Sequence, residues 1–238
     1  MGGRLMRLEH LVAERALSLH VADDSAQLAV AVAERIADTL RQAISVSGAA
    51  SLALSGGRSP EAYLRLLDQQ ALDWQRVTLT LVDERWVPAS HPDSNVGLLR
   101  RCMPRVMEQV NWLPLYRGDS PQADAAEADA HLKALPALSL CVLGMGVDGH
   151  CASLFPGLPG LATLLSDQAE QHCAAVFPVG QSPRLTLTGA ALHSADLQLL
   201  VICGEDKYQR LCQAFAAAPE QVPVSAFLQP PLAIYYSP

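Results

Sequence analysis

Basic residues are scarce in this chain: 17 Lys and Arg stand against 24 Asp and Glu, and the formal net charge is -7. A sequence-independent grip on nucleic acid needs a basic face, so that class of partner is excluded. No apolar run approaches the roughly 18 residues of a membrane-spanning helix. The opening stretch is interrupted by Arg7, Glu9, Glu14 and Arg15, so it lacks a signal peptide's continuous apolar core. The six cysteines (102, 141, 151, 173, 203 and 212) include no Cys-x-x-Cys spacing. In a chain of this length they read as free thiols of a reducing compartment, so a cytoplasmic protein is expected. Metal-ligand spacing is missing too. His150-Cys151 and His172-Cys173 are adjacent pairs, whose side chains diverge on an extended chain, so no metal is expected.

Charged residues make up only 17% of the 238 residues and hydrophobic ones 50%. That balance allows a large core and suits a sheet covered by helices on both faces. Repeats, low-complexity segments and linkers are absent. The expectation is one α/β domain over residues 1–238, with 1–19 as a variable N-terminal arm.

The chain is organised around residues 138–150. An apolar run ending at Leu143 reads as a buried parallel strand. It then breaks into Gly144, Gly146 and Gly149, with Asp148 and His150 set among them. A carboxylate and an imidazole at the carboxyl end of such a strand sit where open α/β sheets bind small molecules. The stretch Gly144-Met-Gly146-Val-Asp-Gly149 also satisfies the dinucleotide pattern G-x-G-x-x-G. That pattern requires a helix next, and Pro156, Gly157, Pro159 and Gly160 intervene instead. Glu170 has the spacing of the fingerprint's acidic residue but precedes the apolar run 174–177 rather than ending it. A dinucleotide is therefore not expected.

Two further strands end in polar loops. Residues 51–54 run into Ser55-Gly56-Gly57-Arg58-Ser59-Pro60, with Ser59 predicted as N-cap and Pro60 as first helical residue. Strand, glycine loop and helix start together make an anion site. Residues 77–82 end in Asp83, Glu84 and Arg85, read as a loop whose charges are costly after a buried strand unless paired or used. Ser94 or Asn95 then caps a helix through Leu99 and Arg100. Asp23, Asp24 and Ser25 cap a long amphipathic helix carrying Leu28, Val32, Ile36, Leu40 and Ile44, with Gly48 beyond its end. An outer helix is predicted over 122–135. Residues 156–170 are expected to be irregular. Strand-like pieces follow at 184–188, 197–202 and 233–236, with a helical turn at 189–193. Lys207 falls at the start of a helix running through Leu211 and Phe215, where a bound anion would offset its unfavourable position. Right-handed crossovers bring the strand ends near 54, 82 and 143 to one edge, so their loops can meet. This convergence argues for an enzyme.

These motifs, in order from residue 20 to 236, resemble the 6-phosphogluconolactonase family. The resemblance is carried by residues 54–60, 83–88, His91-x-x-Ser94-Asn95, 144–150, 153–157 and 184–188. It implies a three-layer α/β sandwich with an open, mostly parallel, Rossmann-like sheet. It also implies hydrolysis of 6-phospho-D-glucono-1,5-lactone to 6-phosphogluconate without a cofactor. Arg58-Ser59 and Cys151 depart from the usual residues at their positions, yet each still offers a backbone N–H. The related glucosamine-6-phosphate deaminase carries a further catalytic glutamate after the histidine; here Ser153, Leu154 and Phe155 supply none.

The residues suit the chemistry. A δ-lactone is an activated ester, so water and a general base suffice. His150 is the expected base, because histidine is the side chain that titrates near neutral pH. Asp148 or Asp83 would orient it or the water, and Arg85 would stabilise the oxyanion. Ser55, Gly56, Gly57, Arg58, Ser59, Arg184 and Lys207 would hold the phosphate, with Asn95 and Gly146 completing the substrate set. A deaminase-isomerase and a non-catalytic sugar-phosphate-binding regulator are the rival classes. The expected assembly is a monomer or weak homo-oligomer.

Overall fold

The structure, a computed structural model, describes residues 2–57 and 59–238. In chain order the elements are α1 (Gly2–Glu14), β1 (Ser18–Val21), α2 (Ser25–Ser47), β2 (Ala50–Leu54), α3 (Glu61–Leu67), β3 (Val77–Leu81), β4 (Asp83–Arg85), α4 (Asn95–Cys102) and α5 (Pro104–Met107). Then come β5 (Asn111–Trp112), α6 (Pro121–Ala134), β6 (Leu140–Gly144), α7 (Leu161–Leu165), β7 (Cys173–Val176), β8 (Arg184–Leu187), α8 (Gly189–His193), β9 (Gln198–Cys203), α9 (Glu205–Ala214) and β10 (Leu232–Ser237).

Seven strands form one sheet in the order β1-β10-β9-β6-β2-β3-β5, and every pairing is parallel. All five residues of β2 are buried. Successive side chains of a strand face opposite sides, so both faces of the sheet are covered there. The helix α2 packs across β2, β6 and β10, and α3 packs on α2. The Asp24 carboxylate accepts from the Ala26 and Gln27 amides at 2.9 and 2.8 Å, and Gly48 closes the helix with φ 79°. These are the caps predicted from the sequence. The chain runs outward from β2 through β3 to β5, then returns to lay β6 on the other side of β2. The order reverses between β2 and β6, and their carboxyl ends border the crevice where such sheets bind ligands.

A second sheet has the order β4-β8-β7 and is antiparallel. Here the sequence reading needs correction. Asp83, Glu84 and Arg85 are not a loop but a strand, with Asp83 opposite Thr186, Glu84 opposite Leu185 and Arg85 opposite Arg184. Three charges fit a strand because the most buried of them is fully paired. Glu84, 1% exposed, accepts from the Arg85, Asn95 and Val96 amides, each at 2.8 Å, and from the Ser94 hydroxyl at 3.2 Å. Burial raises its pKa and those amides oppose the rise. The carboxylate thereby ties β4 to the positive end of α4. Ser94 itself caps α4, accepting from the Gly97 amide.

Two smaller differences are local. The helix α3 starts at Glu61, one residue later than predicted, with Pro60 in place of Ser59 at the N-cap position. Pro60 has helical φ and ψ, and its carbonyl accepts the first helical bond, from Leu64. Within 156–170, the run after Gly160 contains no proline or glycine and winds into α7, burying Leu161 and Leu165.

Asp124, fully buried in the first turn of α6, receives the Trp86 indole N–H at 2.9 Å and the Arg117 and Gly118 amides at 2.9 and 3.0 Å. Burial would raise its pKa, but those donors hold it below the ordinary carboxylate value. Asp129 and Asp148 are likewise held low against burial, by Lys133 and by His150. A carboxyl with a depressed folded pKa stabilises the fold above its unfolded pKa, and this contribution is lost as pH falls through the folded value. The thermal midpoint should therefore drop on acidification below about pH 4. Asp124→Asn should lower the midpoint at neutral pH and flatten that acid dependence; an unchanged slope would contradict the assignment of Asp124 to it.

Candidate active site

The carboxyl ends of β2, β4 and β6 surround a polar cavity of about 210 Å³. It lies at the switch point, where the convergence argument placed it. The loop after β2 contributes Ser55, Gly56, Gly57 and Ser59; β4 contributes Asp83 and Arg85; the loop after β6 contributes Gly146 and His150. Asn95, from α4, and Lys207, in the first turn of α9, complete the predicted residues on its wall.

The β6 loop is folded so that its own groups converge. Gly146 N–H donates to the His150 carbonyl at 2.9 Å, and Gly149 N–H to the Gly146 carbonyl at 3.0 Å. His150 Nδ1 lies 2.6 Å from Asp148 Oδ1, which also accepts the His150 amide at 3.2 Å. A carboxylate only accepts, so Nδ1 carries the proton and Nε2 keeps its lone pair for a ligand. Phe155 packs on the imidazole with ring centroids 4.4 Å apart. Gly146 makes this arrangement possible: a Cβ there would stand 2.2 Å from His150 Cε1 and 2.6 Å from Asp148 Oδ1. The same holds for Gly56, where a Cβ would stand 1.9 Å from Asn95 Oδ1. The glycines let His150, Asp148 and Asn95 press against backbone. No helix follows the loop until Leu161, which rules against a pyrophosphate site of the dinucleotide type.

Across the cavity, Asp83 is 8% exposed. Its Oδ2 accepts the Ser153 hydroxyl at 2.6 Å, and its backbone carbonyl accepts the Asn95 amide group at 2.8 Å. Arg85 donates Nη1 to the Asp93 carbonyl at 2.6 Å, while its Nε–H is buried without a partner among the described residues.

Two predicted residues are placed differently. Arg184 does not line the cavity: its guanidinium donates to Gln181 Oε1 at 2.8 Å and to the Ser182 carbonyl at 3.3 Å. It is nonetheless the cross-strand partner of Arg85, and burial together with that neighbouring cation lowers its pKa. Asp148 stands behind His150 rather than on the wall. Arg58 lies outside the described residues.

Sequence reasoning missed some of the lining. Tyr63 comes from α3 and is 2% exposed beside Ser55; burial raises its phenol, opposed by contact with Ser55. A tyrosine at the first turn of a helix entering from the glycine loop was the available signal. Ser153 received no role, because a serine in an apolar run does not announce its partner. Cys151 is fully buried, and burial raises its thiol far above the ordinary value, so it is no nucleophile. Among the described residues no group of three or more His, Cys, Asp or Glu side chains could hold a metal, and no helix is long and apolar enough to cross a membrane.

Fold and site together define an open α/β protein with a histidine–aspartate pair and a glycine loop facing one polar cavity at its switch point. Residues 23–233 match the family of glucosamine-6-phosphate isomerases/6-phosphogluconolactonase, and the chain belongs to it. A Pseudomonas aeruginosa protein named 6-phosphogluconolactonase is 42% identical over 238 residues, covering 98% of this chain and 100% of the relative. A Pseudomonas putida protein of the same name is 40% identical over 242 residues, covering 100% of both. The crystal structure of a 6-phosphogluconolactonase from Shewanella baltica superposes with a TM-score of 0.88 at 30% identity, covering 93% of this chain and 98% of that one.

Proposed function

We propose that this chain hydrolyses 6-phospho-D-glucono-1,5-lactone to 6-phosphogluconate, the second step of the oxidative pentose phosphate pathway, by general-base activation of water. The observation that carries the reading is the 2.6 Å Asp148–His150 pair presented to a polar cavity opposite Asp83 and Arg85. Water attacks the lactone carbonyl while His150 Nε2 takes its proton. The oxyanion of the tetrahedral intermediate is met by the Arg85 guanidinium, from the cavity wall, and by N–H groups of the glycine loop. Collapse breaks the ring C–O bond, and the imidazolium returns its proton to the departing ring oxygen. The acid product then ionises, so one proton is released per turnover. Asp148 keeps the imidazole in the required tautomer and stabilises its charged form.

The phosphate is assigned to Ser55, Gly56, Gly57, Arg58, Ser59 and Lys207, with Arg184 turning inward from Gln181. Arg184 stands directly opposite Arg85 on the adjacent strand, a like-charge pair that is unfavourable while both side chains stay together. Arg184→Ala should then raise KM roughly 10- to 100-fold, the loss of one charge-assisted contact. An unchanged KM would mean that Arg184 stays on its own turn and the glycine loop and Lys207 hold the phosphate. The same reading takes residues 1–238 as one catalytic unit, cytoplasmic, needing no cofactor, nucleic acid or membrane, and working as a monomer or weak homo-oligomer.

A substrate panel tests it. Acid should be produced from the phospholactone, little from unphosphorylated gluconolactone, and no ammonia from glucosamine 6-phosphate. Ammonia release would favour the deaminase. Phe155 stands against His150 where the deaminase class needs a catalytic glutamate nearby, and this favours the lactonase.

A further inference from the structure

We infer that Ser153 is a positioning residue for this reaction, setting which oxygen of Asp83 faces the substrate and how far Asp83 stands from His150. The inference rests on the lactonase reading above. Ser153 is fully buried and lies three residues beyond His150. Its hydroxyl donates to Asp83 Oδ2 at 2.6 Å, while its amide donates to Thr186 Oγ1 at 3.2 Å. Thr186 is fully buried, is the cross-strand partner of Asp83 and donates its own proton to the Leu187 carbonyl at 3.0 Å. Every proton in this set is committed in one direction. Ser153 therefore clips the histidine segment onto two strands of the small sheet, β4 and β8, at once.

The clip holds a tight turn. Cys151 and Leu154 form an isolated antiparallel bridge, the Leu154 amide donating to the Cys151 carbonyl at 3.0 Å. Between them Ala152, on the cavity wall, has φ 49°, a left-handed conformation that a residue with a Cβ adopts only when its surroundings impose it. With Oδ2 occupied by Ser153, Asp83 keeps Oδ1 for a ligand, since its contact with Asn95 Nδ2 is long at 3.4 Å. Loss of the serine hydroxyl frees the carboxylate to rotate and removes one of the two anchors of the turn.

The test is a double-mutant cycle between Ser153 and Asp83, read as kcat and KM for phospholactone hydrolysis. Ser153→Ala should lower kcat about tenfold or more, the value of one hydrogen bond to a charged group, with KM within about twofold. In an Asp83→Asn background the same substitution should cost almost nothing further. A purely structural role would lower both backgrounds by the same factor. Multiplicative losses, or Ser153→Ala within about twofold of wild type in kcat, overturn this inference while leaving the lactonase reading intact. No turnover by the wild type overturns both. Should Ser153→Ala fail to fold, Ser153→Cys keeps the side-chain shape and offers only a weak S–H donor, and the same cycle is read with it.

Discussion

Replacing His150 with alanine is expected to lower kcat by roughly 10²–10⁴ while leaving KM nearly unchanged. A general base acts in the transition state, so kcat and kcat/KM should fall together. The geometry makes the expectation specific. Nδ1 is occupied by Asp148 at 2.6 Å, so only Nε2 can take the proton. Wild-type kcat/KM should decline on the acid side as the imidazole becomes protonated, and that limb should vanish in the variant. The substrate phosphate also titrates near neutral pH, so the comparison must be made on the same lactone. Retention of more than about a tenth of wild-type kcat would exclude His150 as the base. Asp83, a carboxylate on the cavity wall, would then take its place.

Arg85→Ala should show the second large loss, roughly 10²–10³ in kcat, the usual cost of removing one oxyanion donor. The Asp93 carbonyl holds Nη1 at 2.6 Å, so the guanidinium is preorganised rather than recruited by substrate. Arg85 lines the cavity, and this presents its cationic side chain to developing charge. Arg85→Lys should recover little, because an ammonium cannot keep the Asp93 contact and present a second fixed donor. If Arg85→Ala instead raises KM at constant kcat, the residue binds the phosphate and the oxyanion is left to backbone N–H groups.

The strands that carry the cavity were legible because their signals are local. The runs ending at Leu54, Leu81 and Gly144 are short and rich in buried apolar residues, and each is soon followed by glycine or charge. The caps at Asp24 and Ser94 were legible for the same reason. β4 was not, since Asp83, Glu84 and Arg85 contradict any strand pattern. Their burial becomes possible only when the amides of Asn95 and Val96 reach Glu84, a tertiary event. β1 was missed because Ser18–Val21 is a mostly exposed edge strand of only four residues, and it pairs with β10 at the far end of the chain. Side-chain direction was the least accessible feature. Arg184 was correctly placed on a strand beside the site, but its contact with Gln181 depends on a turn that composition does not announce.

The most direct measurement of the central claim is the initial rate of acid release from freshly prepared 6-phospho-D-glucono-1,5-lactone, followed by base titration at constant pH and corrected for spontaneous hydrolysis. The account predicts a rate that is proportional to enzyme, saturates with lactone and consumes one equivalent of base per lactone opened. A rate equal to the spontaneous one at every enzyme concentration would contradict it.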